Sequence, residues 1–335
     1  MTNRPLAPGD TVFITGITGF IGHHVALAAA DAGYRVVGLH RPTPHHPGPL
    51  ADLRGHDRIH LRTGDLHDAA SLRGHVRDTS PQAICHLGAL TSVAYSFDHP
   101  QDVHAVNATG TLALAEAARE HAPELEKFVF ASSMEVYGNI TNRVIDGELI
   151  TEPLIYTEDM VPKPAAPYAA AKLGAEAHLQ VLHRAFGFPA VILRQTNCYG
   201  RRYDDYFVVE AFATAMLDAD DAVNFGDPRP YRNFIHIDDL TELYLTLLDS
   251  DTTDLAGRVH NTGPPNAIQI RELADRLREL TGFDGDINWH TREHRPGEVW
   301  CLNSNADRLA DAVGWRPTVG LDEGLERVVE YWRGE

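Results

Sequence analysis

Thr11-Val12-Phe13-Ile14-Thr15-Gly16-Ile17-Thr18-Gly19-Phe20-Ile21-Gly22 is the stretch that sets the architecture of this 335-residue chain. Thr11–Thr15 is apolar and β-branched and reads as a strand, and an alanine-rich stretch from about Phe20 to Ala32 reads as a helix. Between them Gly16, Gly19 and Gly22 let the backbone turn tightly and approach a pyrophosphate, whose charge suits a helix N-terminus. The spacing is Gly-x-x-Gly-x-x-Gly, not the Gly-x-Gly-x-x-Gly of most dinucleotide turns. The strand before it and the helix after it therefore carry the reading.

Further strand-like runs follow at Arg35–Leu39, Ile59–Thr63, Ala83–Leu87, Lys127–Ser132 and Ala190–Arg194. Helical patterns fall near 20–32, 68–77, 101–121 and 167–186. This alternation predicts an α/β fold with a doubly wound parallel sheet, whose ligands gather at the carboxyl ends of the strands. From about Asn197 the pattern becomes irregular, with helices near 205–218, 238–249, 270–281 and 321–333, so a smaller C-terminal substrate-binding lobe is expected. Residues 139–166, rich in proline toward their end, form a long connection. It is either a lid that selects substrate or a surface excursion.

Composition sets limits. With 43% hydrophobic and 23% charged residues, the chain is an ordinary globular one, long enough for a large core or two lobes. A formal net charge of -18 argues against nucleic acid or an anionic membrane as partner. Cys85, Cys198 and Cys301 form no C-x-x-C pair, the N-terminus lacks a signal-peptide core, and no run reaches the ~18 apolar residues of a membrane span. A cytoplasmic protein with reduced thiols is expected. The histidines His40, His45, His46, His56 and His60 lie around an irregular stretch interleaved by Pro42, Pro44, Pro47 and Pro49, so no metal site is expected there.

Tyr168 and Lys172 stand four residues apart within a helical pattern, which puts both side chains on one face. An ammonium so placed lowers the phenol's pKa from about 10 and makes it a base for a sugar or alcohol hydroxyl. Lysine is rare in this chain, occurring only at Lys127, Lys163 and Lys172. A strand earlier stands Ala131-Ser132-Ser133-Met134-Glu135-Val136-Tyr137-Gly138.

Together these residues resemble the extended short-chain dehydrogenase/reductase family, specifically its nucleotide-sugar epimerases and dehydratases. The resemblance continues through Gly64-Asp65-Leu66, His86-Leu87-Gly88-Ala89, Asn107, Arg194 to Gly200, Arg232 to Asp239, Asn261-Thr262-Gly263 and Arg295-Pro296-Gly297. It implies a Rossmann-type domain over residues 1–196, to which 233–257 return, interleaved with a substrate lobe over 197–335. It also implies a nucleotide-diphosphate sugar as substrate and a homodimer paired through the helices near 101–121 and 167–186. In those helices Leu112, Leu114, Ala115, Leu173, Leu179 and Leu182 put apolar side chains on more than one face. By the same resemblance Gly16, Gly19, Phe20, Ile21, Gly22, Asp65, Leu66, Leu87, Ala89, Tyr168 and Lys172 bind the cofactor. Ser133, Asn197, Phe207, Val208, Arg232 and Arg295 bind substrate, the arginines gripping its diphosphate.

Two choices remain inside the family. NAD-type sites usually end the second strand with an acid for the ribose 2′-hydroxyl. Here the strand ends Gly38-Leu39-His40-Arg41, and Arg41 favours NADP over NAD by pairing with a 2′-phosphate. The shared chemistry oxidises the sugar at C4, with Tyr168 as base, Ser133 hydrogen-bonded to the same oxygen and Lys172 beside them. A 4,6-dehydratase then needs a carboxylate to remove the C5 proton, and Glu135 stands where dehydratases carry one. Met134 occupies the position at which several of them have a second acid. A 4,6-dehydratase is the favoured reading and a 4-epimerase the alternative. A decarboxylase of nucleotide-sugar acids or a catalytically inactive binding module stands further off.

Overall fold

A computed structural model describes residues 3–42, 47–139, 144–145, 148–149, 153–291 and 296–334. Seven strands make the central sheet: β1 (Thr11–Thr15), β2 (Arg35–His40), β3 (Ile59–Thr63), β4 (Ala83–His86), β5 (Lys127–Ser133), β6 (Ala190–Gln195) and β7 (Val259–Asn261). Their order is β7-β6-β5-β4-β1-β2-β3, and every pairing is parallel. The winding reverses between β1 and β4, which opens a crevice at their carboxyl ends. Every residue of β1 and β5 is buried, which is why both read as nearly unbroken apolar runs.

Helices Phe20–Asp31 and Ile237–Asp249 cover one face, with Val25, Ala29, Leu240, Leu243 and Leu247 against Val12 and Ile14. Helices Ala69–Thr79, Thr111–His121 and Pro167–Phe186 cover the other, with Leu72, Leu114, Leu179 and Leu182 against Phe13, Phe128 and Phe130. Leu114, Ala115, Leu179 and Leu182 thus serve the subunit's own core, and Val181 and Phe186 are the large apolar residues that the helix Pro167–Phe186 leaves exposed, at 50% and 59%. A third core joins helices Val208–Asp218, Ile270–Thr281 and Leu321–Arg333. Among the described residues no helix is long and apolar enough to cross a membrane.

Two elements differ from expectation. The stretch read as an irregular proline loop contains the helix Pro47–Arg54, whose prolines lie in the first turn, where a missing N–H costs nothing. The helix expected over 101–121 is interrupted by a π-helical turn at Ala105–Gly110. Asn107 in that turn holds the chain after β4, accepting from Leu90 N at 2.9 Å and donating to Leu90 O at 2.8 Å. A Cβ at Gly110 would lie 2.8 Å from Leu66 O. The wider turn therefore serves an inward amide and a close backbone approach.

Candidate active site

The helix Pro167–Phe186 begins with proline in its first turn and ends on Gly187 at φ +67°. Tyr168, Lys172 and Glu176 recur every four residues and are 8%, 3% and 2% exposed, so one stripe faces the sheet. It meets three successive residues of β5. Lys172 Nζ donates to Ala131 O at 2.7 Å. Ser132 Oγ donates to Glu176, whose carboxylate also takes Arg194 Nη2 at 2.8 Å. Ser133 lies at the Tyr168 phenol, whose pKa it lowers, and its hydroxyl oxygen accepts from Glu135 N at 3.1 Å. That last bond caps the 3₁₀ turn Met134–Tyr137, so Glu135 stands in a turn beyond the strand end.

Burial governs the charges. It pushes the Tyr168 phenol up to about 12, against the Ser133 hydrogen bond and with help from the Glu135 carboxylate. It pushes Lys172 down to about 7, against the attraction of Glu176. The expectation that the ammonium lowers the phenol's pKa is therefore corrected for this state. Lys172 is turned to the Ala131 carbonyl, lies 4.8 Å from the centroid of the Phe130 ring, and answers chiefly to Glu176.

A second chain of hydrogen bonds fixes the crevice. Thr111 Oγ1 donates to Asn107 O at 2.8 Å, so its oxygen is left to accept from His86 Nε2, also at 2.8 Å. His86 Nδ1 then accepts from Thr15 Oγ1 at 2.7 Å, and the Thr15 oxygen accepts from Gly88 N at 3.0 Å. The chain is satisfied only by a neutral imidazole protonated on Nε2. Burial first, then Lys172, accordingly pushes His86 down to about 3. Leu87 and Ala89 are carried on the segment held at Gly88 by this chain and at Leu90 by Asn107.

At the glycine turn, Gly16 has φ +70°, and a Cβ there would lie 2.8 Å from Gly88 Cα. The cap residue of the following helix, Gly19, makes no side-chain bond to its N–H groups, so Phe20, Ile21 and Gly22 head a bare helix end. Arg41 is exposed after β2. Asp65 after β3 is held below the usual carboxylate range, first by the backbone N–H of His67 and in smaller part by Arg41. Leu66 follows it, with its carbonyl against Gly110. A close-approach turn, an anion-seeking helix end and polar groups beyond β2 and β3 fit a dinucleotide laid along the carboxyl edge of the sheet.

The other side of the crevice comes from the C-terminal lobe. Asn197 lies in a short strand paired with Phe234–His236, and its Nδ2 donates to Asn233 O at 3.2 Å. Arg232, 7% exposed, donates from Nη2 to Glu298 Oε1 at 3.0 Å. Phe207 caps the helix that Val208 begins. Arg295 falls outside the described residues. Its near neighbour Gly297 sits at φ +68°, where a Cβ would lie 2.1 Å from Ala165 O, close to the start of the Tyr168 helix.

Within the long connection, residues 153–166 are anchored to the fold at Tyr156, while Leu154, Ile155 and Val161 are exposed. Tyr156 is fully buried, and its hydroxyl donates to Cys301 O at 3.1 Å. Asn261 of β7 donates to Tyr156 O at 2.9 Å and accepts from the Tyr137 hydroxyl at 2.8 Å. The remaining part of that segment lies largely outside the described residues. Sequence reasoning missed Glu176, whose place one turn beyond Lys172 is the only local signal of it. It also missed the His86 chain, whose members are scattered from Thr15 to Thr111.

The chain is similar to known proteins over nearly its whole length. A family model described as GDP-mannose 4,6 dehydratase matches residues 13–328. A UDP-glucose 4-epimerase of Mycolicibacterium smegmatis is 30% identical over 327 residues, which are 96% of this chain and 98% of that one. The structure of a Thermus thermophilus UDP-glucose 4-epimerase in complex with NAD superposes with a TM-score of 0.82 at 29% identity, covering 97% of this chain and 99% of that one. A dTDP-glucose 4,6-dehydratase from Streptomyces venezuelae, with NAD bound, gives 0.84 at 26% identity, covering 96% and 97%.

The buried lysine carries a pH signature. Lys172 has a folded-state pKa of about 7 against an ordinary 10.5, so between those values the unfolded chain holds the proton that the folded one has lost. Stability contributed through this group therefore rises with pH across that window. In chemical denaturation, wild type minus Lys172→Met should climb from pH 7 toward pH 10, the burial cost of the cation being lost on deprotonation. A difference that stays flat or falls would contradict the assigned environment.

Proposed function

This chain belongs to the GDP-mannose 4,6 dehydratase family, within the extended short-chain dehydrogenases/reductases, and we propose that it is a nucleoside-diphosphohexose 4,6-dehydratase. It is an NAD(P)-dependent enzyme that modifies nucleotide sugars. The observation that carries the finer reading is Glu135. Its carboxylate follows Ser133 in the turn that Ser133 caps, and its charge acts on the Tyr168 phenol. An elimination needs a carboxylate beside the group that takes the first proton, and this arrangement supplies one. The 4-epimerase alternative is favoured by Met134, a buried thioether that cannot transfer a proton, and by the epimerases among the similar proteins.

In the proposed reaction Tyr168 removes the proton of the sugar's C4 hydroxyl, while Ser133 hydrogen-bonds the same oxygen. The bound dinucleotide supplies the hydride acceptor and, at the end, the hydride donor. Lys172 is proposed to turn from the Ala131 carbonyl to the tyrosine and the adjoining ribose, with the Glu176 carboxylate supporting its charge. Ketone formation at C4 acidifies C5, whose proton passes to Glu135. The C6 hydroxyl then leaves as water with that proton from Glu135, and once hydride has returned to C6 a proton from solvent is delivered to C5. Asn197, Phe207, Val208, Arg232 and Arg295 are proposed to seat the nucleotide diphosphate, with Arg232 exchanging Glu298 for phosphate oxygens. Gly16, Gly19, Phe20, Ile21, Gly22, Asp65, Leu66, Leu87 and Ala89 are proposed to bind the dinucleotide. Arg41 supports NADP over NAD.

We divide the chain, as a proposal, into a dinucleotide-binding domain over 1–196 with 233–257 and a substrate lobe over the remainder. A homodimer is proposed through the helix Pro167–Phe186, on the strength of its exposed Val181 and Phe186. Sedimentation at micromolar concentration should give twice the 37.0 kDa chain mass, and a single-chain mass would end that proposal.

Tyr168→Phe removes one hydroxyl from the site. Turnover of a nucleotide-hexose panel, followed by product mass, should fall by about 10²–10⁴ while dinucleotide binding survives. Near-normal turnover would remove the tyrosine from the mechanism.

Glu135→Gln separates the two readings. In heavy water the wild-type product should carry solvent deuterium at C5 and be lighter by one water, and the variant should form none of it. An unlabelled product of unchanged mass from both proteins would establish the epimerase instead.

A further inference from the structure

Beyond the crevice itself, residues 201–207 make contacts that binding of the sugar nucleotide does not explain. The segment leaves the substrate lobe at Gly200, where φ is +104°, and touches the dinucleotide domain at three separated places. On the β2 side, Tyr203 donates its hydroxyl to Asp52 of the helix Pro47–Arg54. Its ring fills a notch there: a Cβ at Gly48 would lie 2.4 Å from it, and His23 meets it edge-on at 5.7 Å. On the β4 side, the Tyr206 and Ser92 hydroxyls are 2.9 Å apart. Ahead of both anchors in the chain, the Arg201 guanidinium stacks on Phe20 at 4.4 Å and on Phe207 at 4.0 Å. Glu210 fixes the root of the segment, taking Gly200 N at 2.8 Å and Arg201 N at 2.9 Å.

The anchors lie on either side of the glycine turn that follows β1: Asp52 is on the element after β2 and Ser92 on the segment after β4, and β2 and β4 are the strands that flank β1. Phe20, under Arg201, is the first residue of the helix that follows the turn. We propose that residues 201–207 are a strap closed over the dinucleotide at the glycine turn, and that its anchors at Asp52, Phe20 and Ser92 must open before the dinucleotide leaves. This rests on the dinucleotide reading given above. It assigns the strap a purpose suited to the proposed chemistry, in which hydride is taken and returned within one turnover and the carrier must not escape between the two transfers.

Release of bound NADPH, followed by loss of its fluorescence on adding excess NADP, tests the strap without reference to turnover. Arg201→Met should speed release by about tenfold, the factor that about 1.4 kcal/mol of lost contact represents. Tyr203→Phe and Tyr206→Phe should each speed it by less. A Ser92→Cys/Tyr206→Cys pair, bridged by a reducible bis-maleimide long enough to replace the tyrosine ring, should slow release at least as strongly, and reductant should restore it. That arm stands even if Arg201→Met fails to fold. Unchanged release in the cross-linked protein, or a change confined to the sugar nucleotide's KM, would overturn the strap while leaving the dinucleotide site intact. Failure of the wild type to bind either NADPH or NADH would instead remove the dinucleotide reading, and the strap with it.

Discussion

The attachment of the helix Pro167–Phe186 to β5 is the constraint on which the rest of the site depends. Its centre is the Glu176 carboxylate, held by Ser132 and by Arg194 in a place where the two charged side chains are 2% and 4% exposed. A buried ion pair adds little stability against an apolar replacement, but loss of one partner costs about 3–5 kcal/mol because the other is left charged and dry. Such a pair specifies register better than it adds stability. It fixes Lys172 over Ala131 and Tyr168 over Ser133. Arg194 also stacks at 4.7 Å on Tyr137, which bonds Asn261 of β7, and Asn261 bonds the buried Tyr156. The same network therefore ties the helix to three strands and to the connection that precedes it.

Burial that gives precision also suppresses charge. Both Tyr168 and Lys172 are pushed toward their neutral forms, the phenol to about 12 and the amine to about 7. The site in this state is thus a proton donor with a nearly balanced amine. In the proposed reaction it serves as a base once bound groups have changed the field around it. Glu176 keeps part of the lysine's charge, and Glu135 works against a phenolate. One carboxylate therefore favours the lysine's charge, while the other opposes a tyrosinate.

Much of this was legible in the sequence. Thr11 to Gly22 announced the sheet, because a fully buried strand is apolar throughout and the turn after it needs glycine. The helix Pro167–Phe186 matches the pattern read at 167–186, and Pro167 in its first turn and Gly187 at its end account for those bounds. The four-residue repeat that paired Tyr168 with Lys172 also contained Glu176, yet carboxylates on helices are usually solvated, and the repeat alone did not mark it. β7 has three residues, too few for any periodicity. The π-helical turn at Asn107 depends on a bond to Leu90, which no local pattern reports. Pro47 and Pro49 read as loop residues because proline is tolerated in a first helical turn only, and sequence alone does not say where a turn is first. The strap was invisible for the same reason as the His86 chain: its partners Asp52, Phe20 and Ser92 become neighbours only when the sheet is wound.

The central claim is that one enclosed site takes hydride from C4 of the sugar and gives it back to the same molecule after elimination. The most direct test follows deuterium placed at C4 of a nucleoside-diphosphohexose turned over in ordinary water. The account predicts a product that has lost water and carries that deuterium at C6. Deuterium recovered at C4, in an isomer of unchanged mass, would contradict it.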